Sequence, residues 1–327
     1  MSELANKKAR LYIASGSRMY LCAVKEPIVW ETERQNVPGK LSFEVIKDDW
    51  ENFGFNEGDA VRFEYDGQKV FFGFVMTKKR TSNRFIQVTA LDQLRYFKNK
   101  DTYVYTNKTA DQVLKIVAAD FGINLGTVES TGYVIPSRIE DKQELFSVVN
   151  NALSETALQT GTTFVLRDNF GAIDLKSLTS LKTDILVDEE SGESFEYTST
   201  IEDGVYNKIK LIYEDKKSKK REVYIAQDSS NINQWGVLQL LESIDDTVNA
   251  KARADAMLAL YNRKKRSLHM KDVFGDVRAF AGASLAVNMY LGDITVANFM
   301  VIEKAKHSFY ESHYKMDLAL IGGGFNA

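Results

Sequence analysis

AVRFEYDGQKVFFGFV, residues 60–75, decides the fold class of this chain. Asp66-Gly67 is the strongest short-range signal for a two-residue hairpin turn, and the residues before it alternate cleanly between apolar and charged. With Asp66 and Gly67 as the turn, Tyr65 faces Gln68, Glu64 faces Lys69, Phe63 faces Val70 and Arg62 faces Phe71. That register predicts an inner face of Val61, Phe63, Val70, Phe72 and Phe74, with an opposite-charge cross-strand pair, Glu64 with Lys69. The outer face is polar at the turn but continues as Phe71, Gly73 and Val75. A strand with one solvated face does not read this way, so a second surface is expected to cover it.

Outward from the hairpin, the residues from Ala9 to about Phe97 read as short strands: ARLYIAS, MYLCAV, KLSFEVI, the hairpin itself and RFIQVTAL. They are separated by turn signals at Pro38-Gly39, Glu57-Gly58 and Ser82-Asn83. Strands this short and close suggest a small barrel or sandwich. The period then changes. TADQVLKIVAADFG opens with Thr109 and Gln112 in capping-box spacing, aligns Val113, Ile116 and Val117, and ends at Gly122. DKQELFSVVNNALSETALQTG places Leu145, Val148, Val149, Ala152 and Leu153 at helical spacing and ends at Gly161. TFVLRDNFGAIDLKSL reads as a hairpin turning near Asp168 to Gly171. After Ile185 the β pattern returns, with NKIKLIYED and EVYIAQD flanking a basic tip, KKSKKR. One helix (VNAKARADAMLALYNRKKR) follows, then four further strands, the last two turning near Tyr310 to Ser312.

The expected organisation is therefore mainly β with an α+β insert. At 327 residues and about 100–200 residues per domain, two or three domains are expected. The formal net charge of -3 argues against a basic-patch duplex binder. The single Cys22 excludes an internal disulfide framework and a cysteine-based metal site, and reads as a small core residue. No apolar run has signal-peptide length or approaches the roughly 18 residues of a membrane span, so a soluble protein made in the cytoplasm is expected.

The inventory of chemistry is short. The three histidines, His269, His307 and His313, form no metal-binding motif, and they read as surface or interface polar residues. No nucleophile elbow or phosphate-binding loop occurs; Ser15-Gly16-Ser17 reads as a loop. The adjacent carboxylates Asp48-Asp49, Glu189-Glu190 and Asp245-Asp246 read as solvated loop acids, because strand neighbours point to opposite faces. The basic runs lack interleaved aromatics, so they read as exposed cations facing water or an acidic partner.

IVWETERQNVPGKLSFEVIKDD (28–49), EGDAVRFEYDGQKVFFGFV (57–75) and VTALDQLRYFKNKDTYVYTNKTADQVL (88–114) together resemble the N-terminal part of the tail hub proteins of contractile phage-type tails. These are of the PBSX-prophage type within the late control gene D group. FMVIEKAKHSFYESHYKMDLAL (299–320) is similar to that group's strand, H-x-F, turn and strand ending, carried by Val301, His307, Phe309 and Met316. The resemblance covers most of the chain and is weakest from about Leu181 to Gln239.

The resemblance implies two tube-like β-barrel domains, 1–105 and 184–327, the second carrying a helix, around an α+β insert at 106–183. It implies a homotrimer that adapts a sixfold tail tube to a threefold spike. Its partners would be the tail tube, central spike, baseplate wedge and tape measure proteins, with no cofactor, metal or catalytic residue. The expected location is the baseplate of a phage, prophage or phage-tail-like bacteriocin particle. Phe71, Gly73, Val75, Trp30 and Arg34 become candidates for subunit contacts, with Phe71 and Val75 accessible in a monomer. Lys216, Lys217, Lys219, Lys220 and Arg221 become a basic tip facing a partner or the lumen. Two alternatives stay open: a peptidoglycan-degrading tail enzyme, against which the short ending GGGFNA counts, and a carbohydrate- or nucleic-acid-binding β-barrel.

Overall fold

The computed structural model describes residues 8–47, 54–80, 82–202, 204–214, 220–244, 249–290 and 295–322. Its N-terminal strands are β1 (Ala9–Ser15), β2 (Arg18–Leu21), β3 (Val24–Glu33), β4 (Lys40–Ile46), β5 (Ala60–Tyr65), β6 (Gln68–Arg80) and β7 (Phe85–Leu91). They lie in the sheet order β3-β4-β7-β6-β5-β1-β2. Cys22 and Ala23 alone join the edge strand β2 to the opposite edge strand β3, so this sheet curls until its edges approach.

The opening hairpin forms where the sequence puts it, with Asp66 (φ 49) and Gly67 (φ 76) in the left-handed conformation that a tight hairpin turn needs. Its register holds for two pairs and then breaks. Tyr65 faces Gln68 and Glu64 faces Lys69, but a bulge at Val70 makes Phe63 face Phe71 and Arg62 face Phe72. One extra residue inverts every later side chain. Phe71 (3% exposed), Gly73 and Val75 (1%) therefore join Val61, Phe63 and Val70 in the core, and Phe72 and Phe74 turn to the other face. The expected inner and outer faces are exchanged beyond Val70, and Phe71 and Val75 are inaccessible in the monomer. Gly73 does mark a close approach, since a Cβ there would collide with the Leu91 carbonyl of the same chain.

The middle of the chain holds β8 (Lys100–Lys108), α1 (Ala110–Asp120), β9 (Leu125–Val128), β10 (Ile135–Glu144), α2 (Leu145–Thr160), β11 (Phe164–Asp168) and β12 (Ile173–Ser177). The Gln112 side chain accepts from the Thr109 N–H (3.1 Å), closing the anticipated cap of α1. Val113, Leu114 and Val117 are buried against Val148, Val149, Ala152 and Leu153 of α2, whereas Ile116 is exposed. β8 pairs with β10, and β11-β12-β9 form a three-stranded sheet.

The C-terminal part contains β13 (Lys182–Asp188), β14 (Ser194–Thr200), β15 (Lys208–Glu214), β16 (Arg221–Gln227), α3 (Ser229–Trp235), β17 (Gln239–Ile244), α4 (Ala250–Tyr261), β18 (Lys265–Phe274), β19 (Ser284–Tyr290), β20 (Thr295–Phe309) and β21 (Tyr314–Gly322). The sequence reading takes this stretch as one barrel with a helix. Instead, β16-β15-β17 form a separate three-stranded sheet, and Ile209, Leu211 and Ala226 bury against Ala254 and Met257 of α4. Leu158 of α2 packs on the same cluster, tying this unit to the insert.

The remaining strands run β14-β18-β21-β20-β19-β13. This is the order β3-β4-β7-β6-β5-β1 repeated strand for strand in chain sequence, with one difference: β13 is parallel to β19 while β1 is antiparallel to β5. The two halves are not separate. β20 pairs with β3, making one 13-stranded sheet, and among the described residues no ladder closes either half into a barrel.

Candidate functional site: the joint between the two sheets

The joint arises because β20 is long enough for two neighbours on one side. Its residues 295–301 pair with β19 and its residues 304–309 pair with β3. Between them a bulge at Glu303 shifts the β20–β21 register. The Arg34 N–H donates to the Glu303 carbonyl (2.9 Å), and the Arg34 guanidinium donates to the Glu303 carboxylate (Nε to Oε2, 2.6 Å). Lys304 and Glu33 form a second cross-joint ion pair at 3.0 Å.

At the centre, Trp30 stacks on His307 with ring centroids 4.8 Å apart. His307 is fully buried, which holds its pKa down to about 4. Its Nε2–H reaches the Ala279 carbonyl (3.1 Å), and Nδ1 accepts from the Tyr314 hydroxyl (2.7 Å), the arrangement of a neutral ring. Phe309 stacks on Tyr314 (4.3 Å) and meets Phe63 edge to face (4.9 Å). The expectation of a surface histidine thus holds for His269 and His313, which are exposed, and fails for His307. Trp30 (8% exposed) and Arg34 are likewise engaged inside the chain, at a joint between sheets of one molecule.

Beside this joint lies a cavity of about 290 Å³ where the N-terminal sheet, the β11–β12 hairpin and the 277–281 loop meet. Two carboxylates, the buried Asp92 and the half-buried Asp168, border it. Burial, then the charge of Asp168, raises Asp92 well above the ordinary carboxylate value, although Asp92 accepts from the Gly39 (2.8 Å) and Leu94 (3.0 Å) N–H groups. Asp168, raised by burial to about 6, accepts from the Gly171 (2.8 Å) and Gln93 (3.3 Å) N–H groups. Backbone donors employ both carboxylates: Asp92 ties Gly39 to the Gln93–Lys98 turn, and Asp168, through the Gln93 N–H, ties the β11–β12 hairpin to that same turn. The Arg167 guanidinium lies 3.9 Å over the Phe280 ring in the same wall. None of these residues stands in a motif, and only the fold brings them together.

The second face of the opening hairpin is covered from within the chain. Phe72 meets Phe170 at 5.8 Å and Phe74 meets Tyr96 at 6.3 Å, while Arg62 and Lys69 lie 5.4 and 5.2 Å over the Phe170 ring. The cover is the tip of the β11–β12 hairpin and the short helical turn Gln93–Lys98. Of the basic tip, Lys216, Lys217 and Lys219 lie outside the described residues; Lys220 directly precedes β16, and Arg221 starts it and pairs with Glu214 at 2.9 Å. Asp48-Asp49 and Asp245-Asp246 also lie outside the described residues. Glu189 and Glu190 are exposed, and Glu189 accepts from the Tyr290 N–H (2.9 Å). Among the described residues no cluster of three or more potential ligands could hold a metal ion, and no helix is long and apolar enough to cross a membrane.

At this joint two sheets of like strand order are joined through one long strand. The YQBQ-like family model matches residues 28–321. This chain belongs to the YQBQ-like family. It is 26% identical over 311 residues to the phage-like element PBSX protein XkdQ of Bacillus subtilis (strain 168), covering 92% of this chain and 94% of XkdQ. In fold it is similar to the prophage MuSo2 43 kDa tail protein of Shewanella oneidensis (TM-score 0.68, 14% identity, 95% of this chain and 98% of that one). It is also similar to the E. coli c3393 protein, a type VI secretion component described as structurally similar to the T4 tail proteins gp27 and gp5. That match has a TM-score of 0.58 and 10% identity, covering 97% of this chain and 78% of c3393. The YQBQ-like chain thus has the fold of phage tail proteins.

Proposed function

We propose that this YQBQ-like chain is the structural, non-enzymatic hub of a contractile tail baseplate, working as a homotrimer between a sixfold tail tube and a threefold central spike. The observation that carries the reading is the strand order repeated in one chain: two tube-like units per chain make six in a trimer. The division into 1–105, 106–183 and 184–327 serves this reading, with the 205–261 unit as an outward module of the third part. Its neighbours in the particle would be the tail tube, spike, baseplate wedge and tape measure proteins, and its final location the baseplate of a phage, prophage or bacteriocin-like tail. The basic tip at Lys216, Lys217, Lys219, Lys220 and Arg221 would face one of these partners.

The test is immunogold labelling and mass spectrometry of tail particles from cells that carry the gene. Stoichiometric presence at the baseplate end is expected. Absence from purified particles overturns the reading, and cell-wall clearing by the purified chain on a zymogram replaces it with the hydrolase alternative.

A further inference from the structure

The β16-β15-β17 sheet is apolar on both faces and covered on one. Ile209, Leu211 and Ala226 point toward α4 and are buried. The opposite face carries Ile212, Val223, Ile225 and Leu241, which the register sets side by side: Ile212 pairs with Val223, and Lys210 lies between Ile225 and Leu241. Val223 is 50%, Ile225 54% and Leu241 55% exposed. A strand with one solvated face alternates apolar with polar residues, whereas VYIA, residues 223–226 of β16, is apolar on both sides, the pattern of a strand covered twice. The link from β16 to β17, α3, has no buried residue and leaves the face open. In the opening hairpin, by contrast, Phe170 and Tyr96 close the second face from within the chain.

The charges and the width of this face indicate its occupant. Lys208 and Lys210 stand on it in line with Ile212, and the acid on the same face, Glu214, is held by Arg221 at 2.9 Å. The run KKSKK, residues 216–220, follows at the Glu214 end. The face is therefore apolar and cationic. A second copy laid on it face to face would bring the lysines of both molecules into one desolvated contact without acids to pair them. Faces that lie on a bilayer are anchored by Trp and Tyr at the headgroup level, and these positions carry neither. Three strands at about 4.8 Å spacing span about 10 Å, the diameter of one α-helix, and α4 already covers the other face in that way. A second helix would complete a helix–sheet–helix sandwich.

We infer that the open face of the β16-β15-β17 sheet is a docking site for an acidic amphipathic helix of another protein. The apolar stripe of that helix lies over Ile212, Val223, Ile225 and Leu241, and its flanking Asp or Glu residues meet Lys208 and Lys210. Removal of the aliphatic side chains from water supplies affinity, and the lysines select the sign of the partner and steer its approach. The face belongs to this chain whatever particle it serves, so the inference stands apart from the hub reading.

The probe is a synthetic helical peptide of about four turns, with leucines in one stripe and glutamates elsewhere, titrated calorimetrically into the full chain. Saturable one-to-one binding is expected, weakening as salt rises. A peptide with lysines in place of the glutamates should not bind, nor should one of the same composition with its leucines scattered. Ile225→Asp and Leu241→Asp, both at exposed positions, should leave the melting curve unchanged and weaken binding by at least about tenfold. Lys208→Glu with Lys210→Glu should exchange the preference, losing the acidic peptide and accepting the basic one, a swap that general stickiness does not give. Equal binding of both peptides, binding indifferent to Ile225→Asp, or no binding of the acidic peptide overturns the inference. Sedimentation of the chain alone as a dimer that Ile225→Asp dissociates replaces the helix with a second copy. Flotation with phosphatidylserine vesicles that the same change abolishes replaces it with a membrane surface.

Discussion

The two halves of the sheet share a strand order and differ in what happens at one edge. In the N-terminal half the edge strand β3 is paired on both sides, and Ile28 and Trp30 are buried. In the C-terminal half the corresponding β14 has one partner among the described residues, and Tyr197 stands where Trp30 stands in β3. Their cores differ too. The first is built on Phe43, Phe55, Phe63, Phe71 and Phe309, the second on alanines, branched aliphatics and Met270, Met289, Met300 and Met316. The same topology therefore appears as a finished joint with rigid aromatic packing and as an open one over an adaptable, methionine-rich core. The lesson is that topology supplies the joint, while side chains decide whether it closes inside the molecule.

The largest expected effect breaks the hairpin assignment. Phe71→Asp places a carboxylate without a partner in the aromatic core, and it should cost more than the about 3–5 kcal/mol of a buried Phe→Ala change. Circular dichroism should show a chain unfolded or melting far below wild type. Phe72→Ala, on the face that meets Phe170, should cost only about 1–2 kcal/mol. Near-native melting of Phe71→Asp would mean that the Val70 bulge is absent.

Next comes the direct contrast of equivalent positions. Trp30→Ala should cost about 3–5 kcal/mol and Tyr197→Ala about 1 kcal/mol, read from urea denaturation. Equal losses would show that the two edges are equally supported in the monomer and would remove the contrast.

The joint should also be sensitive to acid. The folded value of His307, about 4, lies below its ordinary 6.5, so the native state resists a proton that the unfolded chain accepts. Its contribution is complete above about pH 6.5 and is lost progressively as pH falls toward 4, amounting to about 3 kcal/mol. Asp168 acts in the opposite sense: its raised value favours the folded chain as pH drops below about 6. The clean measurement is therefore the difference between wild type and His307→Phe. The variant should gain on wild type steadily from pH 7 to pH 4, and parallel stability curves would contradict the assignment.

The smallest effect concerns the tip. Replacing Lys216, Lys217, Lys219, Lys220 and Arg221 with Ser should leave the melting temperature unchanged within error. The Arg221–Glu214 pair is exposed, and such pairs contribute about 0–1 kcal/mol. A drop of several degrees would show a tip packed against the body of the C-terminal half.

What the sequence by itself determined is local: the Asp66-Gly67 turn, the capped helix after Thr109, the amphipathic α2 and the mainly β character. Each rests on short-range rules, a backbone conformation or a period, that neighbouring residues satisfy among themselves. The β15–β17 unit was less legible, because its strands read like those around them and differ only in which sheet they join. Only the tertiary structure decided the rest. The bulge at Val70 exchanges the faces of β6, because core packing there accepts Phe71 and Val75 while Phe170 and Tyr96 cover Phe72 and Phe74. The length of β20 lets β3 join it, burying His307 and Trp30, residues 277 positions apart, in one stack. A strand pattern specifies which residues share a face, but the partner of an edge is chosen by whatever surface the folded chain, or a second copy of it, brings within hydrogen-bonding distance.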